Sequence, residues 1–391
     1  MLQQTCRNHR PLLIGLSGTI VMASAMGFGR FVYTPILPGM MVGIPISAAN
    51  AGLIAAGNFG GYLAGAILSA YGWAAGRERK VALWGLLASA LLLFAMAATT
   101  SVAAFIAIRF LAGMASALSM VFASSLVLPY AAEREEVNML HFGGVGVGIA
   151  LSSALVFGIN MMAGDGAHGW RTEWIASGLV VLLALALAAW LLPRQPTGAA
   201  SRPEPQLVWR LPLALLTLSY TFFGFGYVIT ATFLVTIVRM ASAGPLIEFL
   251  AWFVTGIAAA ASLVVWRPAA TRMGFAWTYV VAMGLEAIGV LGSVMLPPIA
   301  GALVGGLLLG ATFMIITSYG LQLGRRLSPD SPRRALAIMT AAFGTGQIIG
   351  PLVAGWVGQA SGSFTLPTVM AAVTLVVAVL LSVPVARLTR E

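Results

Sequence analysis

Apolar residues run along this chain in long unbroken stretches, not at the spacing of a half-buried helix or strand. A membrane-spanning helix needs about 20 consecutive apolar residues, and twelve stretches of that kind can be laid along the sequence. Their expected extents are 11–38, 48–70, 80–99, 102–128, 138–162, 174–192, 211–237, 248–266, 275–296, 298–321, 335–356 and 364–385. Short polar connections separate most of them, so sequential helices are expected to lie antiparallel. Barrel strands would read as alternating runs of about ten residues, and the stretches do not have that form. The pattern predicts an all-α polytopic membrane protein with no soluble domain left over.

Composition agrees with the pattern. Hydrophobic residues make up 60% of the 391 and charged residues 8%, against about 25% charged in soluble domains. A net charge of +10 invites a nucleic-acid reading, but its placement argues otherwise. Of the 21 Lys and Arg residues, seventeen fall in segments on one side of the predicted spans. Arg171 and Arg239 fall on the other side, and Arg30 and Arg109 lie within spans. The positive-inside rule then puts both termini in the cytoplasm. The charge is topology, and no nucleic-acid partner is expected. Cys6 is the only cysteine, which excludes a disulfide within the chain. The basic N-terminus leads into an apolar run too long for a signal peptide, so it is read as an uncleaved first span.

The longest connection, 193–210, holds Pro193, Pro196, Pro203 and Pro205 with three arginines. It divides the chain into six spans at 1–192 and six at 211–391. The halves echo one another. Gly27-Phe28-Gly29 in span 1 recurs as Gly224-Phe225-Gly226 in span 7, and Leu111 and Gly113 in span 4 recur as Leu308 and Gly310 in span 10, all at an offset of 197. Gly144 and Gly146 in span 5 recur as Gly344 and Gly346 in span 11, at an offset of 200. An even number of spans per half gives the two copies parallel topology.

With that layout, the loop Gly76-Arg77-Glu78-Arg79-Lys80 and the run Arg109-Phe110-Leu111-Ala112-Gly113 in span 4 resemble the major facilitator superfamily. The segments 27–40 and 58–66 are similar to its YbfB/YjiJ-type subgroup. The superfamily loop usually carries an Asp ahead of Gly-Arg-Lys; here Ser69 or Ala70 and, in the second half, Thr271 stand at the candidate positions. The resemblance implies two pseudo-symmetric six-helix bundles in a bacterial cytoplasmic (inner) membrane. It also implies that spans 1 and 4 line a central cavity.

Candidate chemistry centres on Arg30, in Gly27-Phe28-Gly29-Arg30-Phe31-Val32-Tyr33. A guanidinium at bilayer depth costs between ~3 and ~15 kcal/mol, so something must meet it: water, an anion, a carboxylate or backbone carbonyls. Tyr33 shares its helical face at i+3. Arg30 and Arg109 each lie eight residues from the outer end of their span, about 12 Å at 1.5 Å per residue. Two cations at one depth fit a carboxylate or phosphate between them; the alternatives are snorkelling for Arg30 and conformational coupling for Arg109. Tyr220 and Tyr227 share a face of span 7, and Tyr227 holds the repeat position of Arg30. These two, with Asn58 and Gln347, are candidates either for substrate hydrogen bonds or for interhelical ones. Glu286, deep in span 9, and His141, at the start of span 5, are candidate proton carriers or structural polar groups.

The chain lacks a phosphate-cradling loop with Lys-Ser/Thr, a metal-spaced His/Asp/Glu cluster and a recognisable nucleophile context. No enzyme activity, cofactor or metal is expected. The reading is a monomeric secondary active transporter in the bilayer, moving a small organic anion or zwitterion, with a proton as a candidate partner. A broad efflux carrier for apolar compounds is the competing reading. A channel or an intramembrane enzyme fits less well.

Overall fold

The computed structural model describes residues 2–132, 134–163, 169–194 and 205–389. Residues 164–168 of the outer loop and 195–204 of the connection between halves lie outside the described residues, as does Arg390. Among the described residues the helices are α1 (Leu2–Met22), α2 (Tyr33–Gly43), α3 (Ala48–Ser69), α4 (Glu78–Ala97), α5 (Val102–Val127), α6 (Glu135–Ala163) and α7 (Gly169–Leu191) in the first half. The second half holds α8 (Leu211–Met240), α9 (Pro245–Val265), α10 (Arg267–Met295), α11 (Pro298–Arg326), α12 (Pro332–Ser361) and α13 (Thr365–Leu388). No strand occurs among them. They make twelve segments long and apolar enough to cross a membrane, α1 and α2 together supplying the first, Pro11–Gly43.

Local sequence explains the ends. Ser47 and Ser101 cap α3 and α5, accepting from the backbone N–H of Asn50 and Ala104. Proline stands at the first turn of α8 through α12, where its missing N–H costs nothing. In α10, Gly274 takes φ 79° and breaks the helix, so the apolar part starts at Phe275 as the hydropathy pattern predicts.

Close helix crossings rest on glycine and repeat between the halves. A Cβ on Gly113 of α5 would lie 2.0 Å from the Asn58 carbonyl oxygen of α3. A Cβ on Gly310 of α11 would lie 2.1 Å from the Thr255 carbonyl oxygen of α9. Both positions of this pair recur at the 197-residue offset, with Thr255 standing where Asn58 does, so one backbone-to-backbone packing solution is used twice. Across the halves α3 packs on α12, α6 on α9, and α2 on α8. Twelve crossings return the chain to its starting face, where the arginine-rich connections also lie. That face is called the basic face below, and the opposite one the far face.

Candidate functional site

The site begins with a change of helical register. Ala23–Phe31 forms a π-helix between α1 and α2. Its hydrogen bonds run i→i+5 rather than i→i+4, an arrangement frequent at functional positions. The small residues of this stretch let α6 approach: a Cβ on Gly27 would meet the backbone of Gly148 at 2.4 Å. Behind the segment, Arg109 of α5 donates from Nη1 to the Gly29 carbonyl at 3.2 Å and from Nη2 to the Arg30 carbonyl at 2.8 Å. Those buried carbonyls thereby gain charged donors. Arg109 is itself held in place. Asn58 Nδ2 donates to its carbonyl at 3.0 Å, and its Cζ lies 5.1 Å from the Tyr33 ring centre.

Arg30 lines a cavity of about 350 Å³ between the two halves. The side chain is 4% exposed. Its Cζ lies 4.2 Å from the ring centre of Tyr62, 4.6 Å from Phe59 and 5.3 Å from Phe31. Rings of this kind stabilise a cation through their quadrupoles. They give it no hydrogen-bond acceptor on the ring face, and Nε and Nη2 are both buried without a hydrogen-bond partner. No described carboxylate pairs with it. Elsewhere in the chain the same two nitrogens do find one: Arg239 Nε donates to Glu248 at 2.9 Å and Nη2 at 2.5 Å. On Arg30 the same two nitrogens are closed off from solvent and have no acceptor.

The second half faces Arg30 with Tyr227 of α8 and Gln347 of α12. Gln347 Nε2 donates to the Tyr227 hydroxyl, and Gln347 Oε1 is buried without a partner. Tyr227 lies parallel to Phe313 at 2° and to Phe343 at 4°, with ring centres 6.0 and 5.7 Å away. Toward the far face the halves close. Phe31 meets Phe313 at 6.2 Å and Trp252 at 6.4 Å. Thr34 Oγ1 donates to the Ala231 carbonyl at 2.6 Å, a bond between two residues 197 apart and so between matching repeat positions. Ser153 Oγ donates to the Phe249 carbonyl at 3.0 Å. Toward the basic face the lining continues to Leu128, Asn138 and the exposed Arg325, where α5, α6 and α11 have their ends. The cavity is thus blind at the far side and open at the basic side. Among the described residues, Arg30 and Arg325 are the charged ones that line it.

Of the residues singled out from the sequence, Arg30, Tyr227 and Gln347 are brought together on this cavity. Tyr33, Asn58, Arg109 and Tyr220 are not among its lining. The Tyr33 hydroxyl donates to the Ala51 carbonyl at 3.0 Å, and that of Tyr220 to the Thr317 carbonyl at 3.1 Å. The Tyr220 ring stacks on Phe343, 4.9 Å away, and so backs the wall from behind. Glu286 is buried between α10 and α11, accepting from Thr312 Oγ1 at 3.1 Å, with Oε1 unpartnered. His141 is buried against Ser124 Oγ at 2.8 Å, with Gly18 of α1 closely facing its other nitrogen. Tyr62, Phe313, Phe343 and Arg325 line the cavity without having been singled out. Phe343 was within reach, since it precedes Gln347 by one helical turn. Arg325 enters the sequence pattern only as one of the charges that set topology.

The family of uncharacterised MFS-type transporters typified by YbfB matches residues 22–383. Among solved structures, the chain is similar to the nucleoside transporter NupG, with a TM-score of 0.72 and 13% identity over 98% of this chain and 100% of that one. It is also similar to a bacterial homologue of the human lysosomal transporter Spinster, solved inward-facing and unoccupied, with a TM-score of 0.70 and 14% identity over 97% of both chains. At these identities the likeness shows the fold. No curated protein matches in sequence.

Proposed function

Because the chain belongs to the major facilitator superfamily, in its YbfB-type group, it is a secondary transporter, and we propose that its cargo is a small organic anion gripped by Arg30. One observation carries this reading. A buried guanidinium lines the cavity near its blind end with Nε and Nη2 unpartnered. Leaving a charged donor dry and unpaired is costly. A carboxylate would fill both positions at once, as Glu248 does on Arg239. Among the described residues the cavity lining adds a second cation, Arg325, and no acidic residue.

In this reading the first bundle is 1–192, the second 211–391, and 193–210 links them. The basic face and both termini lie in the cytoplasm of a bacterial cell, at its inner membrane. The cavity then opens inward, and transport proceeds as the halves rock about it. Arg109 positions Arg30 by holding the π-helical carbonyls. Tyr227 and Gln347 bind from the second half, with Tyr220 behind them and Tyr33 and Asn58 behind Arg30, about Arg109. Coupling to a proton would fall to Glu286 or His141, which do not line the cavity. The chain acts as a monomer.

The four methionines in the lining favour the second reading, export of apolar compounds, because such walls adapt to varied shapes. Arg30 separates the two. At matched membrane expression, Arg30→Ala should weaken anion binding by about 30- to 1000-fold, the ~2–4 kcal/mol of a charge-assisted contact. Arg30→Lys should fail nearly as badly, since an ammonium lacks the planar fork. An apolar carrier would bind its cargo as well or better after Arg30→Ala. Near-wild-type anion affinity in Arg30→Lys would remove the bidentate grip.

A further inference from the structure

The walls around Arg30 narrow the cargo further, and the inference rests on the anion reading above. We propose that this cavity takes a monoanionic carboxylate with a flat aromatic body, in preference to a zwitterion or a dianion.

The first ground is shape. Phe313, Tyr227 and Phe343, from three different helices, lie parallel to within 2° and 4° and line the cavity together. These rings stack on one another and reach the cavity lining, and a planar ring that extends the stack gains offset stacking beyond its buried area. A puckered ring of equal size gains only the burial. The volume of about 350 Å³ suits one such molecule and lies at the small end of ligand pockets.

The second ground is charge. The faces of the Arg30 guanidinium are occupied by Tyr62, Phe59 and Phe31. What remains unpartnered is the Nε/Nη2 edge, closed to solvent in this state, and once the side chains around it part it matches one carboxylate held in plane. An α-ammonium beside that carboxylate would meet no acidic residue among the described residues of the lining, and burying it unpaired is unfavourable. A second carboxylate fares no better. Arg325 lies twelve residues along α11 from Phe313, which sits level with the roof at Phe31. At 1.5 Å per residue that is about 18 Å, beyond the reach of a small diacid held at Arg30. Arg325 attracts anions at the mouth, and Arg30 alone fixes them.

The test uses four probes that differ by one feature each: 3-phenylpropanoate, 3-cyclohexylpropanoate, phenylalanine and benzylmalonate. The last two add to the first an α-ammonium or a second carboxylate. Binding is measured by calorimetric titration of the purified full-length protein near pH 7.5. Phenylpropanoate should bind about three- to tenfold more tightly than its cyclohexyl analogue, the range set by ring stacking. It should bind at least tenfold more tightly than phenylalanine or benzylmalonate. In Phe343→Leu the preference for the phenyl ring should shrink toward onefold while carboxylate binding persists, which also reports a folded site. Equal affinity for the cyclohexyl probe, or for phenylalanine, would overturn the proposal and leave the anion site standing. If none of the carboxylates binds, the anion site falls and this proposal with it.

Discussion

A single methyl group placed at the far-face seal should turn the transporter over. Gly52 lies near the far end of α3, where that helix crosses α12 of the other half. A Cβ there would sit 2.2 Å from the Pro351 carbonyl oxygen and 3.2 Å from the Gly355 Cα. Ordinary contact begins at 3.4 Å, so Gly52→Ala overlaps a backbone atom by about 1.2 Å. Neither partner can rotate away, because both are main chain. The two helices must part, and in the arrangement open at the far face they already have. Forcing extra volume into a packed contact costs about 1–3 kcal/mol. All of that cost falls on the state closed at the far face, so the balance between the two states should shift by about 5- to 150-fold. Spin labels report it directly. In a Cys6→Ser background, one pair would sit at Thr100 and Ser242 on the far face and a second at Ala75 and Thr271 on the basic face. Gly52→Ala should add a longer distance to the far pair and a shorter one to the basic pair. Gly158→Ala is the control, since its Cβ would meet nothing within 4 Å. Distance distributions in Gly52→Ala that superimpose on those of the control would refute the reasoning, because the seal would then be shown to yield locally.

Two further outcomes are expected. Single cysteines at Gln206 and at Thr100, in the same Cys6→Ser background, should label from opposite sides of intact cells, with Thr100 reached from outside; labelling of both from outside would overturn the arrangement of spans, and labelling of Gln206 alone would reverse the inside assignment of the termini. Glu286→Gln should leave both pH-driven accumulation and substrate counterflow in place, because the carboxyl is enclosed with Thr312 away from the cavity; loss of the driven mode alone would make Glu286 the proton carrier.

The fold was legible because hydropathy reports spans directly. Twelve apolar runs predicted twelve crossing segments, and the 197-residue repeat reappears as physical contacts: the Gly113–Asn58 crossing, its copy at Gly310–Thr255, and the Thr34–Ala231 bond between matching positions. Helix ends were less legible. Several helices extend beyond their apolar runs into polar sequence, as α11 does through Arg326, because proline and arginine mark an interface without ending the helix there.

The site was legible in part, and the reason lies in rotation about the helix axis. Depth can be counted from a sequence, and Arg30 and Arg109 do come close, with the second guanidinium bonded to the backbone carbonyl of the first. Direction cannot be counted when the register changes. A uniform α-helix puts Arg30 and Tyr33 on one face. The π-helical segment ends at Phe31, between them, and the two side chains part: Arg30 lines the cavity, while Tyr33 bonds to Ala51. The same wide turn makes use of Arg109, since the carbonyls of Gly29 and Arg30 receive its guanidinium. Two arginines of matched depth thus have opposite duties. Arg109 spends Nη1 and Nη2 on backbone carbonyls and leaves only Nε unpartnered, whereas Arg30 leaves both Nε and Nη2. Sequence offers no sign of that division, because a π-helix depends on the close approach of α6 at Gly148 and on the reach of a side chain from α5. Stability alone would be served by giving Arg30 two backbone carbonyls, as Arg109 has. The unfilled fork beside an aromatic wall is what a bound anion would complete.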